Sequence, residues 1–133
     1  MQTETSTEAA RVVGQIYEAF GRKDAEAALA LFDPAIEIRQ SDALPWGGSF
    51  SGHEGALQFF GTLMAHIDTH VEIDRLIVAG DSVVEVGRTC GRATGSGTEF
   101  EIDEVHVWTV RDGLAVRMEA YVDDAAMLEA IAG

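Results

Sequence analysis

The chain has 133 residues, with 23 acidic side chains against 9 basic ones, a formal charge of -14, 47% apolar residues and one cysteine. That length and apolar content suit one domain with a buried core and exclude general disorder. The charge argues against nucleic acid or an anionic membrane as partner, because both need clustered Lys and Arg. The single cysteine, Cys90, excludes an internal disulfide and any multi-cysteine zinc site.

Met1 to Ser6 carry neither a basic nor an apolar run, and no segment approaches the ~20 apolar residues of a membrane span. The expectation is a cytoplasmic protein with a polar tail over residues 1–6 and one domain over residues 7–133. Thr5 and Glu8 have capping-box spacing, and Val12, Val13, Ile16, Tyr17 and Phe20 then recur with a helical period. Gly21 ends that helix, and Asp24 caps a short second one from Ala25 to Phe32, which Asp33-Pro34 breaks. Ala35 to Gln40 alternates as a strand. Residues 41–52 read as a loop around Trp46 and Phe50. Leu57, Phe59, Phe60, Leu63, Met64 and Ile67 give a third helix.

Beyond His70 come four β-rich stretches separated by Ala79-Gly80-Asp81, Gly95-Ser96-Gly97 and Arg111-Asp112-Gly113. Met127, Leu128 and Ile131 close the chain with a short helix. Helices first and an antiparallel meander afterwards predict an α+β fold with the sheet curled over the helices.

In Glu99 to Val110 one face reads Phe100, Ile102, Glu104, His106, Trp108 and Val110. It is mostly large and apolar, so it is taken as the interior, with Glu104 and His106 side by side. Pairing Val110 with Leu114 sets His106 opposite Met118 and Glu104 opposite Ala120. Pairing Thr94 with Thr98 sets Cys90 opposite Ile102 and Arg88 opposite Glu104. An inward cluster of Arg88, Glu104 and His106 results, either a structural ion pair or a proton-transfer site. A bulge in either hairpin shifts the register by one residue and breaks the cluster.

Several strings together carry a resemblance: Ile16-Tyr17-Glu18-Ala19-Phe20, Leu31-Phe32-Asp33-Pro34, Leu44-Pro45-Trp46-Gly47-Gly48, Gly52-His53-Glu54-Gly55, His106-Val107-Trp108-Thr109-Val110-Arg111-Asp112-Gly113 and Tyr121-Val122-Asp123. In order and spacing the chain resembles the SnoaL-like and ketosteroid-isomerase-like members of the NTF2-like superfamily over nearly its full length. The resemblance implies a cone-shaped α+β barrel, with a curved sheet wrapped on three helices around a deep apolar pocket. It also implies homodimers through the outer sheet face, here Val105, Val107, Arg117 and Tyr121.

Function does not follow from that fold. Ketosteroid isomerase, a worked case of pKa tuning, pairs an aspartate base with a tyrosine and a protonated aspartic acid. By resemblance the tyrosine falls near Tyr17, the base on Arg39 or Gln40, and the acid at or near His106. SnoaL-type cyclases place a histidine where His106 stands and an acid/base aspartate where Ala120 stands. Limonene-epoxide-hydrolase-like members carry an Arg-x-Asp that falls on Arg88 and Cys90. None of these sets is complete here.

The expected function is cofactor-free, isomerase- or cyclase-like proton transfer on a neutral apolar small molecule. His106 is the acid/base, Glu104 its orienting partner, Arg88 the oxyanion stabiliser and Tyr17 an auxiliary donor. The expected pocket lining is Trp46, Phe50, Phe60, Trp108, Met118, Ala120 and Arg39. The alternative is a non-catalytic ligand-binding or dimeric interaction protein of the same fold. His53 reads as packing or capping a helix start, and His66 and His70 as exposed. The histidine spacings support no metal, and Cys90 reads as an inward, inert hydrophobe.

Overall fold

The computed structural model describes the backbone of residues 2–133 and the side chains of residues 8–133. Helix α1 (Gln2–Gly21) begins ahead of Thr5, whose side chain, and with it the capping box, lies outside the described residues. Its face of Val12, Val13, Ile16 and Ala19 is buried, as the period predicts.

Lys23 adopts a left-handed backbone (φ 58) between α1 and α2 (Ala25–Ala30). Asp24 caps α2 as expected, its Oδ1 accepting from the Ala27 amide at 3.1 Å. The helix stops earlier than predicted because Phe32 already belongs to strand β1 (Phe32–Gln40) and pairs with Ala115. Within β1 the ladder breaks between Phe32 and Glu37, where Pro34 has no amide to donate and Asp33 bonds the Ala35 amide instead. The expected loop 41–52 contains a short strand β2 (Gly48–Ser51), and helix α3 spans Gly52–His66.

Strands β3 (Ile67–Ala79), β4 (Ser82–Ala93), β5 (Glu99–Arg111) and β6 (Leu114–Val122) form the antiparallel meander that the turn signals mark. At the β5–β6 turn Asp112 and Gly113 both have positive φ, the backbone that a two-residue hairpin needs. Asp123 caps the last helix, α4 (Asp124–Ala132), through the Ala126 amide.

The sheet order is β2-β1-β6-β5-β4-β3. Two features correct the expectation. The β1–β6 pair is parallel, so the sheet is mixed, and it is open, with β2 and β3 as its edges, instead of closing into a barrel. The fold remains α+β, with the helices on the concave side of a curved sheet and the core of Phe32, Ile36, Ile38, Phe59 and Trp108 between them.

The two registers differ in outcome. The β5–β6 pairing lies two residues from the expected one, one from a turn closed by Arg111 and Leu114 and one from a bulge between Thr109 and Val110, so His106 faces Ala120 and Trp108 faces Met118. An even shift preserves faces, and Met118 and Ala120 stay inside as expected. Between β4 and β5 the shift is one residue: Glu85 pairs with His106, Gly87 with Glu104 and Arg88 with Asp103. That odd shift turns β4 over. Arg88 and Cys90 lie outside, while Glu85, Gly87 and Thr89 lie inside.

Candidate functional site

Between the sheet and helices α1–α3 is a cavity of about 350 Å³. Phe20, Phe32, Trp46, Phe59 and Phe60 supply aromatic wall. Leu57 and Met64, roughly half exposed, mark its opening on α3. Tyr17, Glu104, His106, Met118 and Ala120 line its sheet end.

Three of the four predicted catalytic side chains meet there, joined by one that the sequence did not reveal. The Tyr17 hydroxyl lies 2.6 Å from His106 Nδ1 and 3.1 Å from Glu85 Oε1, and it accepts from Trp108 Nε1 at 2.9 Å. His106 Nε2 lies 3.2 Å from Glu104 Oε1. Glu85 is fully buried and Glu104 is 3% exposed. Their ion-pair contacts among the described residues are with His106 alone. Glu85 Oε2 and both oxygens of Glu104 have no hydrogen-bond partner among the described residues.

Two neighbouring carboxyls buried without a cation cannot both ionise. Burial first, and Glu85 beside it second, hold the Glu104 carboxyl well above the usual carboxylate range. Burial likewise raises Glu85. The His106 imidazole is pushed down to about 4 by burial, so it is neutral at pH 7. Burial and then Glu85 lift the Tyr17 phenol well above its ordinary value, which keeps it a donor.

Two proton arrangements satisfy these heavy atoms. In one, Glu104 is the acid and faces His106 Nε2, while His106 Nδ1–H donates to Tyr17, whose hydroxyl donates to Glu85. In the other, Tyr17 donates to Nδ1, Nε2–H faces Glu104, and Glu85 holds the proton. The two arrangements carry the same net charge and differ only in which carboxyl holds the proton.

Gly87 makes the pairing of carboxyls sterically feasible. A Cβ there would lie 2.6 Å from Glu85 Oε2 and 2.1 Å from the Glu72 carbonyl oxygen. The glycine lets β3 approach and leaves the space that the Glu85 carboxyl occupies.

Other expected residues are placed elsewhere. Arg88 is outside the pocket, bonded to Glu72, Asp74 and Glu101, because of the one-residue register. Cys90 follows it outward for the same reason. Arg39 faces solvent beside Ser49 and Asp42, and the inward residue next to it is the buried Gln40. Phe50 packs on Phe59 from β2 and does not line the cavity. Trp108 is wholly buried behind Tyr17, in contact with its hydroxyl instead of with the cavity. Trp46, Phe60, Met118 and Ala120 are among the residues that line the cavity.

His53 fixes the start of α3 through a 2.9 Å contact from Nε2 to the Phe32 carbonyl oxygen. His66 is half-buried beside Trp46 and not exposed, whereas His70 is exposed as expected. Glu85 is hidden because pairing Thr94 with Thr98 turns β4 over, and both of its faces carry apolar residues. Gly87 and Gly91 were the available signal, two glycines on one face against the backbone of β3.

Helices packed on a curved, mixed α+β sheet in this order define an NTF2-like fold. The SnoaL-like domain family matches residues 13–118, and the chain belongs to it. An NTF2-like protein of unknown function from Burkholderia pseudomallei is similar at 29% identity and a TM-score of 0.89, covering 95% of this chain and 98% of its own. TerC, co-crystallised with polyporic acid, gives 28% identity and a TM-score of 0.89, with 95% and 99% covered. A protein with a ketosteroid isomerase-like fold from Catenulispora acidiphila, in complex with trimethylamine, shares the fold at 20% identity and a TM-score of 0.79, with 91% and 92% covered. No curated protein sequence matches the chain. No helix among the described residues is long and apolar enough to cross a membrane.

Proposed function

We propose that the protein binds a neutral, largely apolar small molecule and moves a proton on it without a cofactor. The observation that carries this reading is the buried Glu104 carboxyl at the end of an aromatic-walled cavity, with the second buried carboxyl, Glu85, behind Tyr17 and His106 and no lysine or arginine partner for either among the described residues. Roles change from those expected. His106 Nδ1 is engaged by Tyr17, whereas Glu104 meets Nε2 only at ion-pair distance and neither of its oxygens has a hydrogen-bond partner among the described residues. Glu104 is therefore the group that meets the ligand, and His106, Tyr17 and Glu85 set which carboxyl holds the shared proton.

For a ligand with a carbonyl, the ionised carboxyl takes a proton from the adjacent carbon. Neutral donors at the same place stabilise the enolic oxygen, and the proton returns to a different carbon. The ligand is isomerised and the protein is unchanged. Raised carboxyl pKa values suit this work, since they make the base stronger and keep the acid protonated. A relative at 28% identity that takes polyporic acid in crystals supports a pocket sized for an organic ligand.

A second reading has its own observation. Ala120 faces His106, and Gln40 stands inward on β1, so two positions that resemblance gives to acids carry none. On that reading the cavity holds its ligand unchanged. Incubation of enone and β-keto ester probes in deuterated water separates the two. Deuterium entering the carbon beside the carbonyl, lost in Glu104→Gln and reduced ~100-fold or more in His106→Ala, supports proton transfer. Tight binding with no exchange supports the second reading. Exchange that survives in His106→Ala contradicts the assigned relay.

Self-association belongs to the same proposal. Val105, Val107, Arg117 and the 54% exposed Tyr121 share the outer face of β5 and β6, a strip suited to a two-fold contact. Tyr121→Asp is expected to convert a dimer into a monomer by light scattering.

A further inference from the structure

We propose that the outer faces of β3 and β4 carry a site for a zinc-type divalent cation, with His70 Nε2, Glu72 Oε2 and Cys90 Sγ as ligands and water in the fourth place. Histidine spacing in the sequence gives no sign of it, because strand pairing assembles the set. His70 pairs directly with Cys90 across the β3–β4 ladder, and Glu72, two residues along, points to the same face.

The donor atoms of all three lie within 4.8 Å of one another. His70 Nε2 and Glu72 Oε2 are 3.2 Å apart. A tetrahedral zinc ion with bonds of roughly 2.0–2.3 Å needs its ligand atoms roughly 3.3–3.6 Å apart. The imidazole–carboxylate edge is therefore already at coordination distance, and the thiol closes by side-chain rotation. Arg88 holds Glu72 by Oε1 at 3.1 Å, leaving Oε2 turned to His70 as a one-oxygen ligand.

Charge favours a cation as well. Arg88 is shared by Glu72, Asp74 and Glu101, one positive group among three carboxylates. Glu101 also lies directly across from Cys90 on β5. A nitrogen, an oxygen and a sulfur donor together select zinc or cobalt over calcium or magnesium, which take all-oxygen sets. His70 and Glu72 are about half exposed, so the ion has direct access. Once bound, it would clasp the edge strand β3 to β4.

Cobalt(II) titration of the reduced full-length chain tests the site. The expected result is one ion per chain, with sulfur-to-cobalt charge-transfer absorption in the near ultraviolet and displacement by zinc. Cys90→Ser abolishes that absorption. His70→Ala and Glu72→Gln each weaken binding at least ~10-fold, since even indirect partners of metal ligands are worth that much. Unchanged circular dichroism confirms that the variants fold. Absence of sulfur-to-cobalt absorption in the unmodified chain overturns the proposal. So does binding that survives Cys90→Ser and His70→Ala but is lost in His106→Ala, which would place the ion in the buried cluster.

Discussion

The two faces of the β4–β5 ladder solve opposite electrostatic problems with the same residue types. Inside, Glu85 and Glu104 face each other with a neutral imidazole and a phenol, and no lysine or arginine joins them. Outside, Glu72, Asp74 and Glu101 gather around Arg88 in contact with solvent. Glu85 and Arg88 are three residues apart on one strand, so the odd offset alone decides which environment each meets. The outer carboxylates have both water and a guanidinium beside them. The inner ones lack both and must keep at least one proton between them. Acidity inside is thus stored as neutral acid, which suits the proposed proton transfer on a neutral ligand.

Breaking the inner face should have the largest effect. Gly87→Ala drives a methyl into the Glu72 carbonyl and the Glu85 carboxyl. It should cost about 3 kcal/mol in chemical denaturation and remove ligand binding. Tyr17→Phe keeps the ring and deletes the hydroxyl that contacts Trp108, His106 and Glu85. Leaving those groups unpaired should cost about 1–3 kcal/mol, read by the same denaturation.

The pH dependence of stability sharpens the contrast. Folded Glu104 keeps a proton that the unfolded chain releases as pH rises past the ordinary value of 4.5. Its contribution is complete at acid pH and declines as pH rises. His106 works in reverse: the unfolded chain takes a proton below 6.5 that the folded chain refuses until about 4, so acidification in that interval destabilises. Above pH 6.5 only the carboxyl effect remains. In Glu104→Gln that decline should shrink to the part that the buried Glu85 contributes, with a difference from the unmodified chain of up to about 1.4 kcal/mol per pH unit. On the outer face, Arg88→Ala should leave ligand binding and the shape of the pH profile unchanged, the smallest effect of the four.

What the sequence discloses follows the range of the interaction. Local signals are legible: the Asp24 cap, the Asp112-Gly113 turn, and the alternation that puts Glu104 and His106 inside. Pairing across Gly95–Gly97 is not local. Ala93 and Thr98 close that hairpin, through the Ala93 amide and the Thr98 carbonyl, with an offset that the glycines alone do not dictate. Both faces of β4 carry apolar residues, so periodicity could not arbitrate. The inward placement of Glu104 and His106 is therefore legible in the sequence, while the second carboxyl, Glu85, is exchanged there for an arginine. Tyr17 was readable only as a core residue with a hydroxyl, because its partners come from β4 and β5, 68 and 89 residues away.

Carbon-13 NMR of glutamate side-chain carboxyls, assigned through Glu85→Gln and Glu104→Gln, tests the central claim most directly. A carboxyl resonance that stays in its protonated position at pH 7, and moves only at alkaline pH, is the predicted result. Two carboxyl resonances that titrate together near the ordinary value of 4.5 would contradict it.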